Sequence, residues 1–357
     1  MSRKLITIST IMTLMSTSVI ADVPNVAADI APIHSLVSRV MDGVGAPKLI
    51  VQSGASPHGY RLRPSEAKAL QDADHVFWMG EELTPWLDSA IGTLASKASV
   101  TTLLDQQGVI LHDFREGALF EAHDHSAHGD DDHDDHDDHD DHDDHKDHDD
   151  HDDHDDHDDH DDHDDHDEHK DHDDHDDHDD HDDHDDHGSH DPHAWLSPEN
   201  AKLWLNIIAS KLSVSDPENA ATYFMNAAAG QAEIEAMIAE VKATLKPVQG
   251  GKFVVFHDAY QYFENDFDFY ASGAISLGDS SDPSPSRIEK VQNRIRDEGI
   301  QCVLAEPQFK KGLVATVMEG SDATASVIDP LGAELETGPK LYTRLIKNMA
   351  KTLRNCL

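Results

Sequence analysis

The sequence predicts an α/β protein of two lobes, each with a parallel sheet flanked by helices, and a ligand cleft between them. Three observations lead to this class. Short apolar runs alternate with amphipathic helical stretches on both sides of a low-complexity insert, the pattern of parallel strands joined by crossover helices. Roughly 270 residues remain once a leader and the insert are set aside, enough for two domains of ordinary size. One stretch, 216–247, reads as a single helix of about 45 Å at 1.5 Å per residue, long enough to bridge two lobes or to lie along the surface of one.

The chain opens "MSRKLITISTIMTLMSTSVIADV". Arg3 and Lys4 precede a brief apolar run broken by Ser and Thr, and Val19 and Ala21 supply the small or apolar residues of a cleavage site. This predicts a signal peptide over 1–21, because a membrane anchor would need about 18 continuous apolar residues. Export places Cys302 and Cys356 in an oxidising compartment. There they either pair, closing a loop worth about 4 kcal/mol on the chain-entropy estimate, or remain thiols.

In the first lobe "APIHSLVSRVM" (31–41) is an apolar helical stretch, and "KLIVQSG" (48–54) suits a buried strand. "RPSEAKALQDA" (63–73) carries Pro and Ser at a helix start, "HVFWMG" (75–80) is a strand, and "EELTPWLDSAIGTL" (81–94) a helix with acids in its first turn. "SVTTLL" (99–104) is a further strand. Beyond the insert, "SPENAKLWLNIIASKL" (197–212) begins with Ser197 as N-cap and Pro198 at the first helical position, and Asp216 and Pro217 open the long helix in the same way. The second lobe repeats the alternation. Strands are expected in "GKFVVFHDAY" (251–260), "IQCVLAEP" (300–307) and "SVIDPLG" (326–332), and helices over 284–299 and 341–356. The chain thus divides into a leader (1–21), a first lobe (22–122 and 191–215), an insert (123–190), a linking helix (216–247) and a second lobe (248–357).

The insert dominates the composition. Of 29 histidines, 24 lie between His123 and His193, and from His133 to His187 one stands at every third position with acids and two lysines between. Residues 123–187 carry a net charge of −36, against −46 for the whole chain. Such a segment has no apolar surface to bury and repels itself, so it is expected to be a solvated coil. So anionic a chain is also excluded from nucleic-acid binding. Neutral imidazoles flanked by carboxylates nevertheless offer many shallow zinc sites. A coil of about 65 residues spans about 45 Å, far enough to visit a cleft.

The remaining histidines sort by position. His34 falls in an apolar helix, His75 starts a strand and His112 lies in a connector, all places where histidine is usually structural. His58 and His257 follow apolar strands, where loops at the carboxyl ends of parallel strands build binding crevices. His193, in "DPHAWLSP", stands in a turn ahead of a helix, and Asp329 follows the strand "ASVI". Three imidazoles and one oxygen, two groups from each lobe, suit four-coordinate zinc, although each residue could equally be a turn former.

"GASPHGYRLRPSEAKALQDADHVFWMGEELTPWL" (54–87), "DPHAWLSPENA" (191–201), "FVVFHDAYQYF" (253–263) and "VIDPLG" (327–332), in that order and with an acidic His-rich insert before the second, resemble the ZnuA family of periplasmic zinc-binding proteins. These belong to the metal-specific solute-binding proteins of ABC importers, cluster A-I. The resemblance implies two α/β lobes joined by one long rigid helix, with the metal in the cleft. It makes His58, His193 and His257 the ligands of a transported Zn(II), and Asp329 the candidate for the fourth place, shared with water or an insert histidine. His190 is a neighbouring competitor, but only His193 lies inside "DPHAWLSP". It also implies a partner, the membrane permease of an ABC zinc importer, and a monomeric periplasmic protein that is not an enzyme. Some relatives have Glu directly before the first ligand, where this chain has Pro57. Manganese-binding relatives usually place a carboxylate at the position of His257, and a third imidazole favours zinc over manganese. An exported zinc hydrolase finds neither an H-E-x-x-H helix nor a G-x-S-x-G elbow here. A storage or adhesion protein would account for the insert but not for paired lobes.

Overall fold

The computed structural model describes residues 23–115, 119–120, 190–276, 283–308 and 311–357; the expected signal peptide, and the insert up to residue 189, lie outside them. Two four-stranded parallel sheets organise the described residues. The first comprises β1 (Val26–Ala28), β2 (Lys48–Leu49), β3 (His75–Trp78) and β4 (Ser99–Thr102), in the order β2-β1-β3-β4. The second comprises β5 (Phe253–His257), β6 (Ala274–Ser276), β7 (Cys302–Ala305) and β8 (Thr324–Val327), in the order β6-β5-β7-β8. The two orders are the same, so each sheet reverses direction beside its first strand. Crevices for ligands form at such switch points, outside the carboxyl ends of the strands.

Alternation along the strands decides which core each residue joins. On the outer faces, Ala27, Val76 and Trp78 pack under α2 (Pro64–Gln71) and α3 (Pro85–Leu94). Val254, Phe256 and Val303 pack under α7 (Pro285–Asp297) and α8 (Lys311–Met318). The inner faces, including Ala28, Phe77, Val255 and Leu304, meet in one continuous core with α1 (Ala31–Val40), α4 (Pro198–Ser215), α5 (Ala220–Leu245), α6 (Gln261–Phe267) and α9 (Leu341–Cys356).

α5 is the element both halves share. It packs on α1 and α4 from one side of the sequence and on α9 from the other, which decides for a bridge over a surface helix of one lobe. Tyr223, Ala227, Gly230, Ile234, Met237, Val241 and Leu245 form its buried seam, at three- and four-residue steps. At Gly230 a Cβ would come within 2.9 Å of Leu205, so glycine is what lets α4 approach. The expected helix 216–247 is framed by 3-10 turns at Pro217–Asn219 and Lys246–Val248, the first capped by Asp216.

Local chemistry explains most boundaries. Ser197 and Ser284 cap α4 and α7 through their side chains, each followed by proline at the first helical position. The helix expected from residue 81 starts only at Pro85, because the residue before a proline is pushed out of the helical region; Thr84 has φ −134° and ψ 67°. β2 is shorter than the expected 48–54, although Ile50 and Val51 still donate to Ala28 and Asp29 before the turn at Gly54. β1, α6, β6 and α8 were not expected, being short and without distinctive caps. Cys302 and Cys356 form a disulfide that ties β7 to the end of α9.

Candidate metal centre

Three of the predicted residues converge. His58 comes from the loop between β2 and α2, His193 from the turn that leads into α4, and His257 is the last residue of β5. One ring nitrogen from each falls within 4.8 Å of the others, and the ring centroids are 4.8 to 6.0 Å apart. Zinc holds imidazole nitrogens at about 2.0–2.1 Å, which for a tetrahedral ion puts ligand atoms about 3.4 Å apart. His193 and His257 are buried and His58 is half-buried, so an ion reaching them leaves most of its water behind.

Each imidazole is held by a different device. The Asp191 carboxylate accepts from the His193 backbone N–H at 3.0 Å and lies 2.6 Å from its ring Nδ1. That contact places the ring proton on Nδ1 and leaves Nε2 for a metal. Burial pushes the Asp191 carboxyl up to about 6, against the pull of backbone N–H donors and nearby cationic groups. Across the cleft the Glu306 carboxylate lies 3.4 Å from His257 Nδ1. Sheet register explains the meeting: Val255 pairs with Leu304, and two residues further on the same register sets His257 beside Glu306, at the switch point of the second sheet. The loop of His58 is fixed by Trp86, whose indole donates to the Pro57 carbonyl at 2.6 Å, and by Tyr60, which packs on Trp86 and donates to Glu66 at 2.7 Å. Pro57 thus supplies an anchoring carbonyl where some relatives carry a carboxylate.

Asp329 stands at the end of β8 but outside the histidine group. Its two oxygens accept the backbone N–H groups of Leu331, Gly332 and Ala333 at 3.0, 2.8 and 2.6 Å. The other histidines have structural partners: His34 with the Pro47 carbonyl, His75 with Ser215, His112 with Asn265, and His190 with Asp113.

Two features escaped the sequence reading. One is the Asp191 and Glu306 pair, for which the only local signs were an acid two residues before His193 and an acid ending a strand. The other is Arg115. Assigned to the first lobe by position, it reaches the second, where its guanidinium binds Asp258 and Glu264 and lies 3.7 Å over the Phe120 ring. Burial raises Glu264 to about 7 against the opposing pull of Arg115. Leu119 bridges to Gly273 and Phe120 donates to Ser272, so the segment entering the insert is fastened to the second sheet. His190 and Asp113 pair across the neck, bringing the chain back three residues before His193.

Residues 26–356 match the family profile described as "ZnuA: Zinc-uptake complex component A periplasmic". Among curated proteins, the chain is 46% identical over 332 residues to the "High-affinity zinc uptake system protein ZnuA" of Brucella abortus (strain 2308), covering 93% of this chain and 91% of that one. It is 43% identical over 338 residues to the protein of the same description from Paracoccus denitrificans (strain Pd 1222), covering 94% and 93%. Among solved structures, "Crystal structure of ZnuA" superposes with a TM-score of 0.66 at 19% identity, covering 94% of this chain and 99% of the other. A laminin-binding adhesin (Lmb) from Streptococcus agalactiae, in a mutant structure, gives 0.65 at 18% identity, covering 94% and 99%. At these identities the structures speak for the fold.

Proposed function

The chain belongs to the ZnuA family of periplasmic zinc-uptake components, and from that premise we propose that it captures Zn(II) through His58, His193 and His257 and delivers it to the membrane permease of an ABC importer. The observation that carries this reading is the convergence of three imidazoles, from three separate elements, within 4.8 Å. Three neutral nitrogen donors suit zinc better than manganese, which prefers hard oxygen ligands. Asp329 is the candidate for the fourth place. A carboxylate has about four acceptor sites, so three N–H contacts leave room for one bond to a metal. Water or an insert histidine are the other occupants.

The family consists of transport components rather than enzymes, and the site is read as a carrier's. No helix among the described residues is long and apolar enough to cross a membrane. The proposed route is release into the periplasm after removal of residues 1–21, with the protein acting as a monomer. The insert serves this reading as an auxiliary collector. Its histidines would hold several ions loosely near a neck that ends beside His193, and the cleft would hold one tightly.

Calorimetry on protein lacking residues 123–187 tests the proposal. The paired neck at Asp113 and His190 remains in that variant, and one strong zinc event is expected. Finding no site tighter than micromolar would overturn the assignment.

A further inference from the structure

We propose that Asp191 and Glu306 act as a charge-matching pair, two buried carboxylates behind the cleft histidines that make the site favour a doubly charged ion over a singly charged ion with a similar taste for nitrogen. The inference rests on the cleft assignment above and concerns what sets its selectivity.

Three imidazoles bind a metal as neutral ligands, so a dication among them would keep its full charge with water or histidine in the fourth place, and half of it with Asp329 there, in a largely water-free site. The structure shows where compensation comes from. Asp191 is 2% exposed and Glu306 3%, and each has an oxygen facing the Nδ1 atom of a ligand histidine, at 2.6 and 3.4 Å. Of the other acids nearby, Asp258 and Glu264 share Arg115, and half-buried Asp329 accepts three backbone N–H groups, keeping one acceptor site for the fourth place. Among the described residues no lysine or arginine forms an ion pair with Asp191 or Glu306. Asp191 meets His193, and Glu306 meets His257, the Gln308 amide at 2.6 Å and the buried Tyr260 hydroxyl. Asp191 and Glu306 therefore place two negative charges one imidazole away from the ion, where they favour the more highly charged of two ions in the same site. The Asp191 hydrogen bond also fixes the His193 ring with Nε2 toward the cleft, whereas Glu306, 3.4 Å from His257 Nδ1, acts through its charge.

Position and charge make different predictions. A displaced ring weakens any ion that uses it. A lost charge acts in proportion to the charge of the ion, so the logarithm of the loss for a dication is about twice that for a monocation in the same place. Asp191→Asn and Glu306→Gln each remove one charge while keeping the shape and an acceptor oxygen.

The test is a competition titration of the full chain and of each variant with Zn(II) and with Ag(I), a redox-inert monovalent probe that leaves the disulfide intact. Chelator buffers hold the free ion low enough that only the tight site fills. Each variant is expected to lose about 10- to 100-fold in zinc affinity, the usual range for groups behind metal ligands, but only about 3- to 10-fold for silver. Equal losses for the two ions, or no loss of zinc affinity, would overturn the proposal while leaving the cleft assignment standing. Absence of tight zinc binding in the unaltered chain would instead reject the assignment beneath it. Either amide supplies the ratio by itself, so misfolding of one variant leaves the other to decide.

Discussion

Replacing Arg115 with Met would remove the one cation that Asp258 and Glu264 share, while keeping an apolar stem over the Phe120 ring. Both acids are buried, and breaking a buried ion pair from one side typically costs about 3–5 kcal/mol. Part of that cost is relieved by protonation, because burial already raises Glu264 to about 7 and loss of Arg115 raises it further. The penalty at pH 8 should therefore be about 3 kcal/mol, a fall in Tm of roughly 6–12 °C for a domain of this size. The sign with pH follows from the same shift. Glu264 binds a proton more tightly folded than unfolded, so its contribution is favourable at low pH and is lost as pH rises through its folded value. Arg115→Met enlarges that loss, and the gap in Tm between variant and parent should shrink from pH 8 to pH 5.5. Thermal unfolding by circular dichroism, with metal removed by a chelator, measures it. Adding Glu264→Gln to the variant should restore part of the stability at pH 8. A gap under about 2 °C, or one unchanged by pH, would refute the description of this cluster as a buried charge network.

His58→Ala, His193→Ala and His257→Ala should each weaken zinc binding at least about tenfold, since each removes one of few bonds to the ion. His34→Ala should leave the zinc Kd alone and lower Tm, because that ring bonds the Pro47 carbonyl; calorimetry and melting curves separate the two outcomes. Asp29, buried and raised to about 7, accepts the N–H groups of Ile30 and Met79. Its folded value lies above its unfolded one, so between pH 5 and 8 the parent should lose roughly 2–3 kcal/mol relative to Asp29→Asn, read as a slope in denaturant titrations; parallel curves would contradict it. On acidification, free imidazoles of the insert, with a pKa of about 6.5, should release metal before the preorganised cleft does. Equilibrium dialysis is expected to show two stages in the full chain and only the later one without residues 123–187, whereas a single shared stage would make insert and cleft one cooperative site.

The parts of this protein that could be read from sequence are those whose causes are local. α4 announces itself through Ser197 and Pro198, and α7 through Ser284 and Pro285. His58, His193 and His257 stood out because each ends an apolar run or opens a capped helix. What stayed hidden depends on pairing between distant segments. β1 is only Val26–Ala28, too short for any period to show, yet it is the strand beside which the first sheet reverses. Glu306 looked like the end of a strand until the register of β5 and β7 set it beside His257. Arg115 is one basic residue in a connector, and its partners lie 143 and 149 residues away. Asp329 shows the opposite limit: its place after a strand suited a ligand and a turn former alike, and the three N–H groups it accepts show the turn while keeping an acceptor site for a metal.

Zinc K-edge X-ray absorption on the full chain loaded with one equivalent of zinc tests the cleft most directly. Three imidazole nitrogens at about 2.0–2.1 Å are predicted, with a fourth, oxygen or nitrogen, donor. The imidazole contribution should drop by one in each of His58→Ala, His193→Ala and His257→Ala. A first shell dominated by oxygen, or a spectrum unchanged by all three substitutions, would place the tightly held ion elsewhere and contradict the account.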